Sequence, residues 1–111
     1  MRRLVFLLLV LFLPITGWAA ETYRVFCYHD VREDVRVEPD PFAVDTAALV
    51  SQFAWLKENG YRVISLDDVI AAREGRRPLP DKAVMLTFDD GFRSVYTRVF
   101  PLLKLFGYPA I

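Results

Sequence analysis

The sequence predicts an α/β fold in which parallel strands alternate with helices. Strand-like and helix-like patterns follow each other from Tyr23 to Ile111, the order from which right-handed crossovers build a parallel sheet. One strand-like segment, Ala83–Phe88, is almost continuously apolar, which is typical of a strand covered on both faces. A complete (β/α) barrel needs about 200 residues or more. We therefore expect the truncated, N-terminal part of a distorted (β/α) barrel, rather than a small open sheet complete in 111 residues.

Residues 1–20 have the pattern of a secretory signal peptide. Two arginines precede an unbroken apolar run over residues 4–13, and small residues follow it. A membrane anchor is the less favoured interpretation, because a span needs about 20 apolar residues. We expect cleavage after Ala19 or Ala20, which leaves residues 21–111 as the mature portion. The expected location is the periplasm, with or without association with the outer membrane.

The overall charge and the single cysteine exclude some classes of function. Fourteen basic residues balance fourteen acidic ones, so nothing indicates nucleic-acid binding or a basic membrane surface. Cys27 has no possible disulfide partner within the chain. Its place in an apolar strand predicts a small buried side chain, without a redox or metal role.

The first half of the mature chain predicts a strand, a loop and a helix. Residues 23–28 are rich in aromatic and β-branched types, which favour a strand. Charged residues and two prolines over residues 32–41 indicate a long loop. Asp45 is predicted to cap a helix that runs through Asn59 and stops at Gly60. Its buried stripe is formed by Leu49, Phe53 and Leu56.

The second half repeats this alternation. Residues 61–65 predict a second strand, and Ser65 with Asp68 forms a capping-box signature for a helix over residues 66–74. Ala83–Phe88 is the third strand.

A last helical pattern follows the third strand and stops at Gly107. Pro101 either kinks this helix or lies in the first turn of a regular part that begins near Thr97. A fourth strand is expected to start at Tyr108. Three aromatic residues of this region are expected in the core or on a cleft wall: Phe92, Tyr96 and Phe100.

Two adjacent carboxylates, Asp89 and Asp90, end the third strand. At about 5 Å and an effective dielectric constant near 20, their repulsion is on the order of 3 kcal/mol, and a bound cation is the simplest compensation. Gly91 lets the backbone turn so that both acids face one cleft. One could then ligate a divalent cation while the other acts as general base in metal-assisted hydrolysis. Asp-Asp-Gly is also an ordinary turn sequence, so the tripeptide alone leaves both interpretations open.

His29 and Asp30 end the first strand. A lone histidine is more often a hydrogen-bonded structural residue than a ligand or an acid. Parallel strands, however, bring their C-terminal ends to the same edge of a sheet. We therefore expect His29 and Asp30 to share a cleft with Asp89 and Asp90.

Several stretches resemble one known family. "LTFDDGF" at residues 86–92 resembles the first motif of the polysaccharide deacetylases, carbohydrate esterase family four. "FCYHDV" at residues 26–31, "FAWLKENGYRVISLDDV" at residues 53–69 and the segment from Leu79 to the end are similar to the branch that acts on biofilm poly-β-1,6-N-acetylglucosamine. The resemblance implies a distorted (β/α) barrel that removes acetyl groups with a divalent metal, Zn, Ni, Co or Fe.

The resemblance also implies roles for individual residues. Asp89 would be the general base and Asp90 a metal ligand, while His29 would line the cleft, for substrate positioning or acid assistance. The family completes its metal site with two downstream histidines, and this chain has none after His29. We therefore expect a fragment that alone binds metal poorly and does not catalyse. The implied partners are the poly-N-acetylglucosamine polymer and export machinery of the cell envelope.

Two other functions stay open at this point. A non-catalytic polysaccharide-binding fragment is favoured by the missing histidines and by aromatic residues that could stack on sugars. A metal hydrolase acting on phosphate esters would also use paired acids. The absence of a glycine-rich or basic phosphate cradle in the sequence counts against that hydrolase.

Overall fold

A computed structural model describes residues 22–37 and 39–111. The predicted signal peptide lies outside the described residues. In chain order, the elements are β1 (Arg24–Tyr28), β2 (Asp30–Arg32), β3 (Ala43–Asp45), α1 (Thr46–Glu58), β4 (Arg62–Val63), α2 (Leu66–Arg73), β5 (Ala83–Phe88), a π-helical segment (Val95–Val99) and α3 (Phe100–Phe106). β1, β5 and β4 form a parallel sheet in that spatial order, so the predicted α/β class is confirmed.

One face of this sheet carries the main core, which is formed with α1 and the last helical region. Leu49, Phe53 and Leu56 on α1 are each fully buried, which confirms the predicted stripe. They pack with Tyr28, Val31, Val84, Leu86 and Val99. Edge-on contacts of Phe53 with the rings of Phe106 and Tyr108 join α1 to the end of α3.

The opposite face of the sheet is covered only along part of its length. A smaller cluster of Ile64, Val69, Leu79, Ala83 and Met85 covers the first part of β5. Along β1 and at the C-terminal end of β5 this face is open: Val25 and Cys27 are exposed, and Thr87 is half-buried. The prediction that Cys27 is buried is therefore wrong. Side chains alternate along a strand, and Cys27 points away from the face on which its neighbours Phe26 and Tyr28 pack.

Two short strands that the sequence did not predict flank the predicted loop over residues 32–41, whose first residue, Arg32, ends β2. β2 and β3 pair in parallel and form a small sheet. Strands of three residues are too short to give a recognisable sequence pattern. Asp45 is the N-cap residue of α1, as predicted, but its carboxylate makes no cap hydrogen bond. Asp45 Oδ1 instead accepts from the backbone N–H of Val35 at 2.5 Å, so the side chain holds the loop rather than the helix.

The second helix agrees closely with its prediction. The N–H of Asp68 donates to Ser65 Oγ at 3.2 Å, and the N–H of Ser65 donates to Asp68 Oδ2 at 2.8 Å. This reciprocal pair is the predicted capping box. The preceding strand is shorter than predicted, because only Arg62–Val63 pairs as regular strand with β5.

Pro101 accounts for the irregular last helix. It lies in the first turn of α3, and the chain immediately before it is π-helical over Val95–Val99. A proline ring clashes with the carbonyl four residues earlier and offers no N–H to it, so a wider turn relieves the crowding at Thr97. Part of the aromatic prediction is wrong here, since Phe92, Tyr96 and Phe100 are exposed and lie outside the core.

The predicted fourth strand is not formed as a regular strand. Ile111 nevertheless donates its N–H to the carbonyl of Leu86 at 3.0 Å and accepts from the N–H of Phe88 at 2.8 Å. These bonds lie on the same side of β5 as the hydrogen bond from the N–H of Ile64 to the carbonyl of Val84. No helix within the described residues combines the length and apolar character that crossing a membrane requires.

We expect Phe53→Ala to lower the free energy of unfolding by about 3–5 kcal/mol, because it removes a large, fully buried ring and leaves a cavity. Urea unfolding followed by circular dichroism measures this. Tyr96→Ala is the control, since Tyr96 is 76% exposed and its loss should change stability by about 0.5 kcal/mol or less. Equal losses for the two variants would contradict the described core.

Candidate active site

The candidate site lies where β1 and β5 end side by side. Tyr28 is paired with Phe88 in the last register position of the two strands. One residue further, the N–H of Asp89 donates to the carbonyl of Tyr28 at 2.8 Å. The residues that follow the two strands, His29 on one and Asp89 on the other, are therefore neighbours by backbone geometry.

The structure brings together the three site residues that the sequence predicts. His29 Nε2 lies 4.0 Å from Asp90 Oδ2. Donor atoms of His29 and Asp89 lie within 4.8 Å of each other, and the thiol of Cys27 lies within the same distance of both. The proximity of His29 to the acid pair is confirmed, while the chemical role of each residue stays a prediction.

A left-handed turn lets the two carboxylates converge. In a continuing strand, Asp89 and Asp90 would point to opposite faces. Instead, Asp90 has φ 65° and Gly91 has φ 62°. The sequence predicts a turn at Gly91, and the structure adds Asp90 to it. A left-handed conformation costs a non-glycine residue about 1–2 kcal/mol, although aspartate tolerates it better than most. The turn therefore stores strain next to the acids.

Solvent weakens the repulsion between the acids. The side chain of Asp90 is 66% exposed, and Asp89 is exposed as well. With a dielectric constant near that of water, two charges about 5 Å apart repel by about 1 kcal/mol, less than the sequence-based figure of about 3 kcal/mol. The electrostatic reason to expect a cation is correspondingly weaker, and the case for one depends on the available ligands.

Asp30 links the chain segments that follow β1 and β5. Its Oδ1 accepts from Ser94 Oγ at 2.7 Å, and that hydroxyl oxygen accepts from the N–H of Val31 at 3.2 Å. The hydrogen bond from Ser94, followed by the one from Arg32, lowers the pKa of Asp30. Asp30 thus fastens the chain after β1 to the start of the last helical region. It was expected in the cleft beside His29, but its carboxylate is used in this link.

Sequence reasoning missed three residues around the site. Phe42 places its ring 5.6 Å from the ring of His29 and is 66% exposed. Neither Phe42 nor Ser94 carries a local sequence signal for this position, because each reaches the site through tertiary contacts. Cys27 did carry a signal, since it precedes His29 by two positions and strand alternation places both on one face.

Comparisons with known proteins identify the group to which this site belongs. The poly-β-1,6-N-acetyl-D-glucosamine N-deacetylase of Escherichia coli K12 is 47% identical over 94 residues, 85% of this chain. A solved de-N-acetylase from Aggregatibacter actinomycetemcomitans superposes with a TM-score of 0.73 at 41% identity over 79% of this chain. IcaB from Ammonifex degensii gives a TM-score of 0.69 at 33% identity over 79% of this chain. No protein-family model matches.

The chain belongs to the polysaccharide deacetylase family. It spans 14% of the Escherichia coli relative and 35% and 36% of the two solved chains. The similarity therefore concerns one part of those deacetylases.

The metal that the deacetylase resemblance implies fits these residues only in part. Asp90 offers an exposed carboxylate beside an imidazole, a donor suited to a divalent cation. A zinc site takes three or more protein ligands, and this chain contains a single histidine. A ligand set of one aspartate and two histidines therefore requires residues beyond this chain.

We expect Asp90→Gly to be more stable than Asp90→Ala by about 1 kcal/mol, because glycine adopts a left-handed φ without the steric cost that alanine meets. Chemical denaturation of the two variants measures the difference. The control is Ser51, an exposed position within α1. There Ser51→Ala should be more stable than Ser51→Gly by about 1 kcal/mol. The same order at both positions would contradict the turn described for Asp90.

We expect Asp30→Asn to destabilise the fold at neutral pH and to lose this effect in acid. The folded pKa of Asp30 lies below the ordinary value of an aspartate. Its stabilising contribution is therefore complete above the unfolded pKa and disappears as pH falls through the folded pKa. Urea unfolding of wild type and variant across a pH series measures the change. Ser94→Ala removes the main cause of the lowered pKa. The free energy of unfolding of this variant should therefore fall less in acid than that of the wild type. A difference between wild type and Asp30→Asn that stays constant down to strong acid would contradict this account.

Proposed function

We propose that the protein carrying this chain is a metal-dependent N-deacetylase of an exported poly-N-acetylglucosamine polymer. The observation that supports this most directly is the convergence of Asp89, Asp90 and His29 at the paired ends of β1 and β5. The relatives named poly-β-1,6-N-acetyl-D-glucosamine N-deacetylase support the substrate class. Because the chain spans only a small part of those relatives, activity is proposed for the whole protein and not for these residues alone.

Deacetylation requires water to attack the acetyl carbonyl and the glucosamine nitrogen to leave as an amine. A divalent metal, Zn, Ni, Co or Fe, held by Asp90 and by histidines outside this chain, would polarise the carbonyl and acidify the attacking water. The backbone N–H of Asp89 donates to the carbonyl of Tyr28, which fixes Asp89 at the end of β1. Its exposed carboxylate can accept the proton of that water as general base.

His29 has a second task in this proposal. Its donor atom lies within 4.8 Å of that of Asp89, and its side chain is 31% exposed, so a substrate at the acids would also contact the imidazole. His29 would either orient the acetamido group or, when protonated, donate a proton to the departing nitrogen. A His29→Gln variant that retains the rate but raises KM would favour orientation.

The predicted signal peptide supports a cellular place for this reaction. A leader over residues 1–20 would send the protein across the inner membrane. We infer a periplasmic deacetylase, alone or associated with the outer membrane, that meets the polymer during its export and so lies near the export machinery.

A second function, binding of polysaccharide without catalysis, is supported by exposed aromatic rings. Tyr96 and Phe100 stack with centroids 6.3 Å apart and are 76% and 48% exposed. Flat exposed rings are suited to the apolar faces of sugars, and such binding would need neither Asp89 nor a metal.

We expect Asp89→Asn to reduce acetate release from N-acetylglucosamine oligomers by about 10²–10⁴-fold in the protein expressed from its natural gene, because the general base is lost. Asp81→Asn is the matched control: the same substitution at an exposed acid before the other end of β5. Full activity of Asp89→Asn would defeat the assignment of the base. A protein that binds the glycan but releases no acetate would instead favour the binding function, provided that Asp90→Asn leaves the glycan affinity unchanged.

A further inference from the structure

Cys27 has no part in the proposed hydrolysis, but it lies in a cluster with two residues that do, His29 and Asp89. Its Sγ, a ring nitrogen of His29 and a carboxylate oxygen of Asp89 all lie within 4.8 Å of one another. Cys27 and Asp89 are exposed and His29 is half-buried. Three different metal-ligating groups therefore converge on a surface that solvent ions can reach.

The strands, rather than a flexible loop, place these donors. Cys27 and His29 are two positions apart on one chain, so alternation directs both to the open face of the sheet. Cys27 is paired with Thr87 in the parallel register, and Asp89 is two positions beyond Thr87. The three side chains thus occupy adjacent positions on one face of two hydrogen-bonded strands.

The spacing and chemistry suit a thiophilic divalent cation. Zinc binds sulfur at about 2.3 Å and nitrogen or oxygen at about 2.0–2.2 Å, so donors around one tetrahedral ion are about 3.5 Å apart. The present limit of 4.8 Å requires a contraction of about 1 Å, which small rotations of exposed side chains provide. Thiolate and imidazole ligands favour zinc and cobalt over magnesium and calcium.

We propose that Cys27, His29 and Asp89 form a binding site for Zn²⁺ or a similar thiophilic cation, with water as the fourth ligand. On binding, the thiol of Cys27 releases its proton to solvent and the thiolate sulfur bonds to the ion. The site differs from the proposed deacetylase metal position, because it uses Asp89 instead of Asp90.

Occupancy of this site would have a consequence for catalysis. An ion bound to Asp89 occupies the lone pairs that the carboxylate needs to accept a proton from water. Excess zinc would therefore inhibit deacetylation through Cys27. This consequence rests on the proposed function, whereas binding of the ion does not.

Titration of the reduced chain with Co²⁺ tests the binding site directly. The chain has one cysteine, so any thiolate-to-cobalt charge-transfer absorption in the near ultraviolet reports on Cys27 alone. We expect this band to saturate at one ion per monomer, with competition by Zn²⁺. Intense visible bands, typical of four-coordinate cobalt, should accompany it.

Variants separate this site from the neighbouring carboxylate. Cys27→Ser should abolish the charge-transfer band, and Asp89→Asn and His29→Gln should each weaken Co²⁺ binding at least 10-fold. Asp90→Asn is the matched control and should retain the band with an affinity within about threefold of wild type. Far-ultraviolet circular dichroism verifies that each variant is folded, as expected for substitutions of exposed or half-buried side chains.

Three results would overturn the proposal. The first is Co²⁺ binding without a charge-transfer band. The second is a band that saturates at one ion per two chains, which indicates bridging by two cysteines. The third is binding that is lost in Asp90→Asn and kept in Cys27→Ser. None of these results bears on acetate release by the natural protein, so failure here is distinguishable from failure of the proposed function.

Discussion

The site depends on the parallel pairing of β1 with β5. This pairing runs over the whole length of β1 and is extended by the hydrogen bond from the Asp89 N–H to the Tyr28 carbonyl. The two strands are far apart in sequence, and only this register brings His29 next to the acids. The main core supports the register from one side, because Tyr28, Val84 and Leu86 pack together against α1.

The two faces of the sheet differ in how far they are buried. One face is packed against helices, while the other is covered near β4 and open where the strands end. The open end contains two features that destabilise the fold: an aspartate in a left-handed conformation and two neighbouring carboxylates. Strained backbone of this kind is concentrated at functional sites. The link from Ser94 to Asp30 and the N–H of Val31 holds the surrounding loops in position.

Local patterns predicted most of the fold correctly. The stripe on α1, the capping box at Ser65 and the extent of β5 all follow from spacing and residue type within a short window. The failures are residues whose partners are distant in sequence. Asp45 contacts Val35 instead of its own helix, and Cys27 is exposed because no described element covers its side of β1. The three-residue strands β2 and β3 exist only as partners of each other.

The sequence by itself determined the class of fold, the strand that ends in two carboxylates and the candidates Asp89, Asp90 and His29, since periodicity and residue chemistry are local properties. Only the tertiary structure decided that β1 lies directly beside β5, that Asp90 adopts a left-handed conformation, and that Cys27 joins His29 and Asp89 on one surface. Strand order and register are selected by the burial of side chains from the whole chain at once. No short stretch of sequence contains that information.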